Sequence, residues 1–369
     1  MRKFVWSLFF LVCVLVYSGF AFVARTDAAY HFSNYKGKPP IHIYGTATKT
    51  PTGLSPAQIK STYHLPQSGG RGTIVIVGVY DDATIEADLA MFDKQFGLAP
   101  CTTTNGCFEK HKMSATMHTN SNWALETTLD VEWAHAIAPN AKILLVEATT
   151  PSGANLLKSV DYAASRADAA AISMSWGGAE FSEETTLDSH FVSKSGAPFF
   201  ASSGDDGVGA SWPASSPNVI GVGGTTLTFD TTGAFARETA WSGSGGGVSA
   251  YEKEPAYQKK YSIPKANGMR AIPDVSYNAD LASGFSIVRG GKWYVVGGTS
   301  AGAPQWAALA ALGSGVTVAQ LYADKAGTNV SAYFRDITSG TNGDCSYYCS
   351  ARAHYDYVTG LGSPITTTF

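Results

Sequence analysis

Short apolar runs alternate with amphipathic stretches along much of the chain. Thr73–Val77 is a continuous β-branched run, typical of a strand buried in a parallel sheet. Apolar residues then recur at helical spacing from Thr84 to Phe96. Further strands are predicted at 142–146, 170–174, 198–201 and 219–222, and further helices at 55–63, 124–138, 154–168 and 182–195. This alternation predicts an α/β fold with a central, mostly parallel sheet, whose functional site lies at the carboxyl ends of its strands.

A glycine-rich segment, Gly297–Pro304, connects a predicted strand with the predicted helix Gln305–Leu312. Such a turn exposes the hydroxyl group of Ser300 and directs backbone N–H groups at whatever binds there. Gly298–Gly302 matches the G-x-S-x-G pattern of α/β-hydrolases. The same serine followed by Pro304 is also similar to the serine segment of subtilisin-like folds. A plain turn with an N-capping serine is the third interpretation.

Two carboxyl groups lie four residues apart on the predicted helix 124–138. Glu126 and Asp130 differ by roughly 40° around the helix axis and therefore share a face. A solvated acidic face is the usual meaning of such a pair, but the flanking residues here are mostly apolar. A half-buried pair has at least one raised pKa, can share a proton, and can supply a general base in acid.

Asp205 directly follows the predicted strand 198–201, where a site is expected, although an Asp-Gly turn is the simpler interpretation. No histidine accompanies Ser300 in a recognisable arrangement. His135 lies about half a turn from Glu126 around the helix and faces elsewhere. An α/β-hydrolase triad would need His354 with Asp336 before it.

Eight segments between Glu126 and Pro364 carry the strongest motifs of the chain. They are Glu126–Ala141, Ser173–Gly177, Ser203–Asp205, Pro213–Pro217, Val222–Thr225, Pro273–Ser276, Gly298–Ser300 and Asp336–Pro364. In this order they resemble the sedolisins, the serine-carboxyl peptidases with a subtilisin-like fold. The resemblance covers about residues 54–364. It implies a three-layer α/β fold, with a central mostly parallel sheet flanked by helices, and an acid endopeptidase activity on proteins or peptides.

The resemblance also implies a role for each matching side chain. Ser300 would be the nucleophile and would form an acyl-enzyme, Glu126 would be its general base, and Asp130 would orient Glu126. A protonated Asp205, with the N–H group of Ser300, would hold the oxyanion. A carboxyl group donates that hydrogen bond only when protonated, which confines activity to acid. Asp206 stands where these peptidases usually carry a small residue.

The resemblance further implies one structural calcium ion near the C-terminus. Its ligands would be Asp336, Ile337, Arg352, His354 and Asp356. Arg352 and His354 replace glycines that usually give two of the carbonyl ligands. Any residue can supply a carbonyl oxygen, but these two restrict the backbone more than glycine does.

The N-terminus predicts export. Arg2 and Lys3 precede an apolar run at residues 4–23, which is typical of a signal peptide and would anchor the chain if uncleaved. We therefore divide the chain into a signal at 1–29, a short segment at 30–53 and a peptidase domain at 54–369, and expect a secreted monomer. The net charge of −3 favours neither nucleic acid nor an anionic membrane as a partner.

Four cysteines follow the signal, and two local disulfides, within Cys101–Cys107 and within Cys345–Cys349, are the simplest of three connectivities. The segment 30–53 is too short to fold alone as an inhibitory domain, so we expect acid alone to switch activity on. Two other functions stay open: a neutral-pH serine esterase that depends on His354, and a non-catalytic binding protein on a peptidase scaffold.

Overall fold

The computed structural model describes residues 31–313, 316–322 and 330–367. The predicted signal at 1–29, with its apolar run, lies outside the described residues. Within those residues, no helix combines the length and apolarity needed to cross a membrane.

The elements are numbered in chain order. The helices are α1 (Pro56–Thr62), α2 (Ile85–Phe96), α3 (Ser121–Ile137), α4 (Gly153–Ser165), α5 (Ala256–Tyr261), α6 (Gly302–Leu312) and α7 (Val318–Gln320). The strands are β1 (His42–Thr48), β2 (Thr73–Val79), β3 (Phe108–Lys112), β4 (Lys142–Ala148), β5 (Ala169–Met174), β6 (Gly178–Ala179), β7 (Phe199–Ser202), β8 (Ser211–Trp212), β9 (Val219–Phe229), β10 (Phe235–Ala240), β11 (Gly247–Lys253), β12 (Met269–Ile272), β13 (Val275–Asn278), β14 (Phe285–Arg289), β15 (Lys292–Gly297), β16 (Phe334–Arg335) and β17 (Ser363–Pro364).

The central sheet has the strand order β10-β9-β7-β5-β2-β4-β3, and β13 also pairs with β9. Every pairing is parallel except that of β10 with β9. Helices α3 and α6 pack on one face of the sheet, and α4 packs on the other. The predicted three-layer α/β fold is therefore confirmed.

A second, smaller sheet leads into the turn that carries Ser300, the predicted nucleophile. Strands β14 and β15 form an antiparallel hairpin, and β1 pairs with the outer side of β15 from His42 to Thr48. The chain leaves β15 at Gly297 and enters the Ser300 turn two residues later. The described part of the predicted segment 30–53 thus pairs with β15 through β1, an arrangement that its local sequence did not indicate.

Helix α3 holds the predicted carboxyl pair. Asn120 caps it by accepting from the N–H groups of Asn122 and Trp123, and Pro139 follows its end. The helix is buried on all sides from Leu125 to Ile137, because the sheet, α2, α6 and β14 surround it. An i, i+4 pair on such a helix faces the protein interior whichever way it points.

The predicted helix at 182–195 is wrong. Two 3₁₀ turns, Glu184–Thr186 and Asp188–Phe191, take its place. The buried Glu184 carboxylate accepts from the backbone N–H of Phe181 and from the hydroxyl group of Ser215. Side-chain hydrogen bonds to nearby backbone compete with helical ones, and here they hold the segment against the neighbouring loop.

The glycine-rich segment Gly243–Gly247 packs closely against neighbouring backbone. A Cβ atom on Gly245 would collide with the Ser203 carbonyl, and one on Gly246 with the Tyr357 carbonyl. Gly245 N–H donates to the Gly204 carbonyl at 2.8 Å. This glycine segment therefore supports the loop that carries Asp205. The two disulfides are the local ones, Cys101–Cys107 and Cys345–Cys349.

Candidate active site

Ser300 lies on a 3₁₀ turn, Thr299–Ala301, between β15 and α6. Gly298 enters this turn at φ 127°, and a Cβ atom there would collide with the Pro40 carbonyl. The Ser300 hydroxyl group donates to Oε2 of Glu126 at 2.8 Å. The predicted nucleophile and the predicted base, 174 residues apart in sequence, are thus in direct contact.

The Glu126–Asp130 pair is buried: each residue is 1% exposed. A solvated acidic face is therefore excluded. Burial, and then the neighbouring Asp130, raise the pKa of Glu126 well above its usual range, and burial raises the pKa of Asp130 to about 8. The two carboxyl groups are in hydrogen-bond contact, which requires a proton between them. Such a pair titrates as one unit that carries a single negative charge when one proton is bound.

Ser175 completes the surroundings of Asp130. Its hydroxyl group lies 2.6 Å from Oδ1 of Asp130 and 3.1 Å from the Ser300 carbonyl, and its residue is 1% exposed. The resemblance of the segment Ser173–Gly177 to the sedolisins does not indicate this contact with Asp130. No local signal could have found it, because Ser175 and Asp130 belong to different elements.

Asp205 lies in the loop after β7 and approaches the Ser300 turn. Its Oδ1 accepts from the backbone N–H and from the hydroxyl group of Thr299, each at 2.8 Å. Its Oδ2 lies 3.1 Å from Nε2 of His42, and the Asp205 side chain is 5% exposed. Burial raises the pKa of Asp205, and the contacts with His42 and Thr299 oppose that rise. The contact with Asp205 raises the pKa of His42.

The N-terminal residues 35–42, called here the covering segment, lie across this site. Lys38 exchanges two backbone hydrogen bonds with Gly177, at 2.9 and 3.1 Å, as an added antiparallel strand would. The Pro40 carbonyl faces Gly298, and His42 reaches Asp205. Ser300 is 0% exposed, so its hydroxyl group is not exposed as the turn predicts. Sequence reasoning missed this segment, because nothing local in it indicates where it packs.

The other histidines do not serve Ser300. Nε2 of His135 lies 3.0 Å from the Ala99 carbonyl and 3.4 Å from Asp93 Oδ1, away from Glu126 as predicted. His354 is exposed, and its backbone N–H donates to Asp336. Across the described part of the chain, no histidine is hydrogen-bonded to the Ser300 hydroxyl group. The geometry needed for an esterase triad with His354 is therefore not formed.

The predicted calcium ligands converge on one C-terminal loop. Asp336 accepts from the His354 N–H, and Asp356 accepts from the N–H groups of Arg352, Val358 and Thr359. The other oxygen of Asp336, Oδ1, is buried with no hydrogen-bond donor near it. Burial raises the pKa of Asp336 and raises that of Asp356 to about 6.

Two carboxyl groups in the loop, one with an unsatisfied buried oxygen, fit a hard divalent cation. Neither has an ion-pair partner among residues 31–313, 316–322 and 330–367. Arg352 and His354 each donate a backbone hydrogen bond to one of these two carboxyl groups. His354 has φ 66°, a left-handed conformation that glycine adopts more easily.

A serine hydroxyl group bonded to a buried carboxyl pair, with a third carboxyl group beside the nucleophile turn, defines a serine-carboxyl peptidase site on a subtilisin-like fold. Residues 113–329 match the family model described as the subtilase family. The chain belongs to that family and, within it, to the sedolisins.

Two relatives carry this assignment. Sedolisin of Pseudomonas sp. (strain 101) is 28% identical, over 86% of this chain and 60% of that protein. Kumamolisin of Bacillus sp. (strain MN-32) is 29% identical, over 96% of this chain and 70% of that protein. The chain therefore spans about two thirds of the length of these relatives.

A solved structure agrees with this assignment. The Pseudomonas sedolisin, a serine-carboxyl proteinase complexed with two molecules of pseudo-iodotyrostatin, superimposes with a TM-score of 0.71 at 26% identity. The match covers 86% of this chain and 96% of that structure.

Proposed function

We propose that this chain is an exported, acid-active serine-carboxyl endopeptidase that hydrolyses proteins or peptides. The observation that carries the proposal is the 2.8 Å hydrogen bond from the Ser300 hydroxyl group to Glu126. A carboxylate in that position can take the serine proton directly, so no histidine is needed.

In the proposed reaction, Ser300 Oγ forms a bond to the peptide carbonyl carbon while its proton passes to Glu126. Asp130 shares its proton with Glu126 and holds the carboxyl group in place. The resulting oxyanion accepts hydrogen bonds from protonated Asp205 and from the Ser300 N–H group. Glu126 then returns the proton to the leaving amine, the C–N bond breaks, and an acyl-enzyme remains. Water repeats the sequence and releases the acid.

Acid dependence follows from Asp205. As a carboxylate it would repel the developing oxyanion, whereas as an acid it donates to it. An aspartate titrates near pH 4 in water, and burial raises the pKa of Asp205, so activity is expected at roughly pH 3–5 and should fade toward neutrality.

We also propose one structural calcium ion, held by the Asp336 and Asp356 carboxylates and by the carbonyl groups of Ile337, Arg352 and His354. The ion would supply positive charge to two carboxyl groups that lack it and would fix the C-terminal loops. Export through residues 4–23, the boundaries of the predicted segments and a monomeric state complete the proposal.

The test is hydrolysis of a denatured protein from pH 2 to pH 9 by the purified protein, beside a Ser300→Ala variant as the inactive control. Peptide release that is confined to acid and absent from Ser300→Ala is expected. Equal release by Ser300→Ala, or none at any pH from protein freed of its covering segment, would contradict the proposal and favour a non-catalytic binding protein. Activity at neutral pH that His354→Ala abolishes would favour the esterase.

A further inference from the structure

Thr299 binds Asp205 with two donors, and both point at the same carboxyl oxygen. The backbone N–H and the hydroxyl group of Thr299 each lie 2.8 Å from Oδ1 of Asp205. The hydroxyl oxygen of Thr299 in turn accepts from the Gly204 N–H at 3.1 Å. Thr299 is fully buried, so water does not compete for these bonds.

This arrangement decides which oxygen of Asp205 carries a proton. A hydrogen on Oδ1 would face two N–H or O–H donors, whereas Oδ2 receives no donor from Thr299. His42 is the other donor near Oδ2, and it leaves with the covering segment. Without it, protonated Asp205 bears its hydrogen on Oδ2, the oxygen beside Gly298. Among the described residues, Oδ2 is buried and accepts no hydrogen bond from a backbone or hydroxyl group, so its hydrogen is available to an oxyanion at Ser300.

We propose that Thr299 is a positioning residue: its two donors to Oδ1 of Asp205 leave Oδ2 to present the hydrogen that stabilises the oxyanion. The inference rests on the proposed function of Asp205. It gives Thr299 a role in orienting the Asp205 carboxyl group, which its place next to Ser300 in the sequence does not by itself imply. The hydroxyl group of Thr299 sets the orientation, and its backbone N–H, which every residue offers, only assists.

The same hydrogen bonds also lower the pKa of Asp205 and so affect the pH dependence of activity. Donors to Oδ1 stabilise the carboxylate and thus oppose the rise that burial causes in the pKa of Asp205. Loss of the Thr299 hydroxyl group should therefore raise that pKa further. The titratable groups that act on Asp205 and its His42 partner are His42 on β1, Glu126 on α3 and Asp206 in the same loop. His42 leaves with the covering segment in every enzyme compared below, and Glu126 and Asp206 are unchanged by substitution at residue 299.

The experiment compares Thr299→Val and Thr299→Ser with the unaltered enzyme, all freed of the covering segment. Thr299→Val keeps the shape and the backbone N–H but loses the hydroxyl group. We expect kcat to fall roughly 10–100-fold, with KM nearly unchanged, because the oxyanion donor is less well held. The alkaline limb of the kcat profile should nevertheless move to higher pH by about half to one unit, since a hydrogen bond to a charged group is lost.

Thr299→Ser retains the hydroxyl group and should keep the alkaline limb in place with most of the activity. Ser286→Ala, which alters a buried hydroxyl group on β14 with no described partner, is the matched control. Inhibition by a peptide aldehyde, whose adduct with Ser300 also needs the oxyanion donor, gives a second pH profile if turnover of Thr299→Val is too slow.

An alkaline limb that stays in place or moves to lower pH in Thr299→Val would overturn the inference. Equal losses in Thr299→Val and Thr299→Ser would do the same, since they would indicate a packing role. These outcomes leave the proposed function intact, because that function fails only if the unaltered enzyme is not an acid peptidase dependent on Ser300.

Discussion

The two carboxyl regions of the site differ in what buries them. Glu126 and Asp130 lie on α3, inside the permanent core between the sheet and α6. Asp205 lies on a loop, and part of its cover is the segment 35–42, whose His42 contacts it and whose Pro40 faces Gly298. The Glu126–Asp130 pair, called here the dyad, thus keeps its environment whenever the protein is folded. Asp205 changes its environment when a substrate replaces the covering segment. The proposed general base therefore lies in the core, and the proposed oxyanion donor lies on a loop at the cleft.

Amide substitutions should separate the two regions most strongly. Glu126→Gln removes the proton acceptor and should lower kcat by about a hundredfold or more at every pH. Asp205→Asn still presents an N–H donor, so it should lose less activity than Asp205→Ala and should lose the alkaline limb of the pH profile. Rates of peptide release from pH 2 to pH 9 measure both effects. If Glu126→Gln remained active while Asp205→Asn kept a normal alkaline limb, the roles assigned to the two regions would be wrong.

The Glu126–Asp130 pair could be predicted from the sequence, whereas the contacts that surround Asp205 could not. Helical periodicity places Glu126 and Asp130 on one face from local spacing alone, and the alternation of strands and helices predicts the central sheet. Asp205 was placed correctly at the end of β7, but His42, Thr299 and the covering segment meet it through long-range contacts. The helix predicted at 182–195 failed for a similar reason, since buried Glu184 bonds to a distant loop.

Release of the covering segment is the second point of comparison. Acid protonates Asp205 and weakens its contact with His42, but it does not break the backbone hydrogen bonds between Lys38 and Gly177. We therefore expect a serine-directed phosphonate to label Ser300 at pH 4 only after N-terminal mass is lost. Intact mass spectrometry during labelling tests this. Labelling at full mass would instead support the earlier expectation, drawn from the short length of the segment, that acid alone suffices.

Stability against pH should report mainly on the permanently buried carboxyl groups. The Glu126–Asp130 pair keeps one shared proton because burial raises the pKa of Asp130 to about 8, and burial also raises the pKa of Glu147 to about 7. Between pH 4, where unfolded carboxyl groups titrate, and pH 8, the folded protein binds more protons than the unfolded chain. The free energy of unfolding should therefore fall as pH rises through this range.

Thermal melts of the Ser300→Ala variant, which prevents autolysis, measure this dependence. We expect Tm to be roughly 5–10 °C lower at pH 8 than at pH 4. Adding Asp130→Asn should flatten the slope more than adding Asp205→Asn, because only the dyad is buried by the core. A Tm that rises with pH would show that the buried carboxyl groups are ionised in the folded protein.

Calcium should act on the Asp205 region and spare the dyad. Asp356 accepts from the Val358 N–H, and the Val358 carbonyl accepts from the Ser244 hydroxyl group at 2.7 Å. Gly245, the next residue, is bonded to Gly204 beside Asp205. A continuous set of contacts therefore leads from the proposed ion to Asp205, the proposed oxyanion donor, and none of these contacts involves α3.

Removal of the ion by dialysis at neutral pH should lower Tm by a few degrees, since a ligand held at a hundred times its Kd stabilises by about 2.7 kcal/mol. Activity measured afterwards in acid should fall severalfold, and the alkaline limb, set by Asp205, should shift while the acid limb, set by the dyad, stays in place. Added Ca²⁺ should restore both quantities and Mg²⁺ should not, with Asp356→Ala unresponsive to either. Active protein in which metal analysis finds no calcium, or equal shifts of the acid and alkaline limbs, would contradict a calcium ion that supports the Asp205 region. The C-terminal loop would then support the cleft through its own hydrogen bonds.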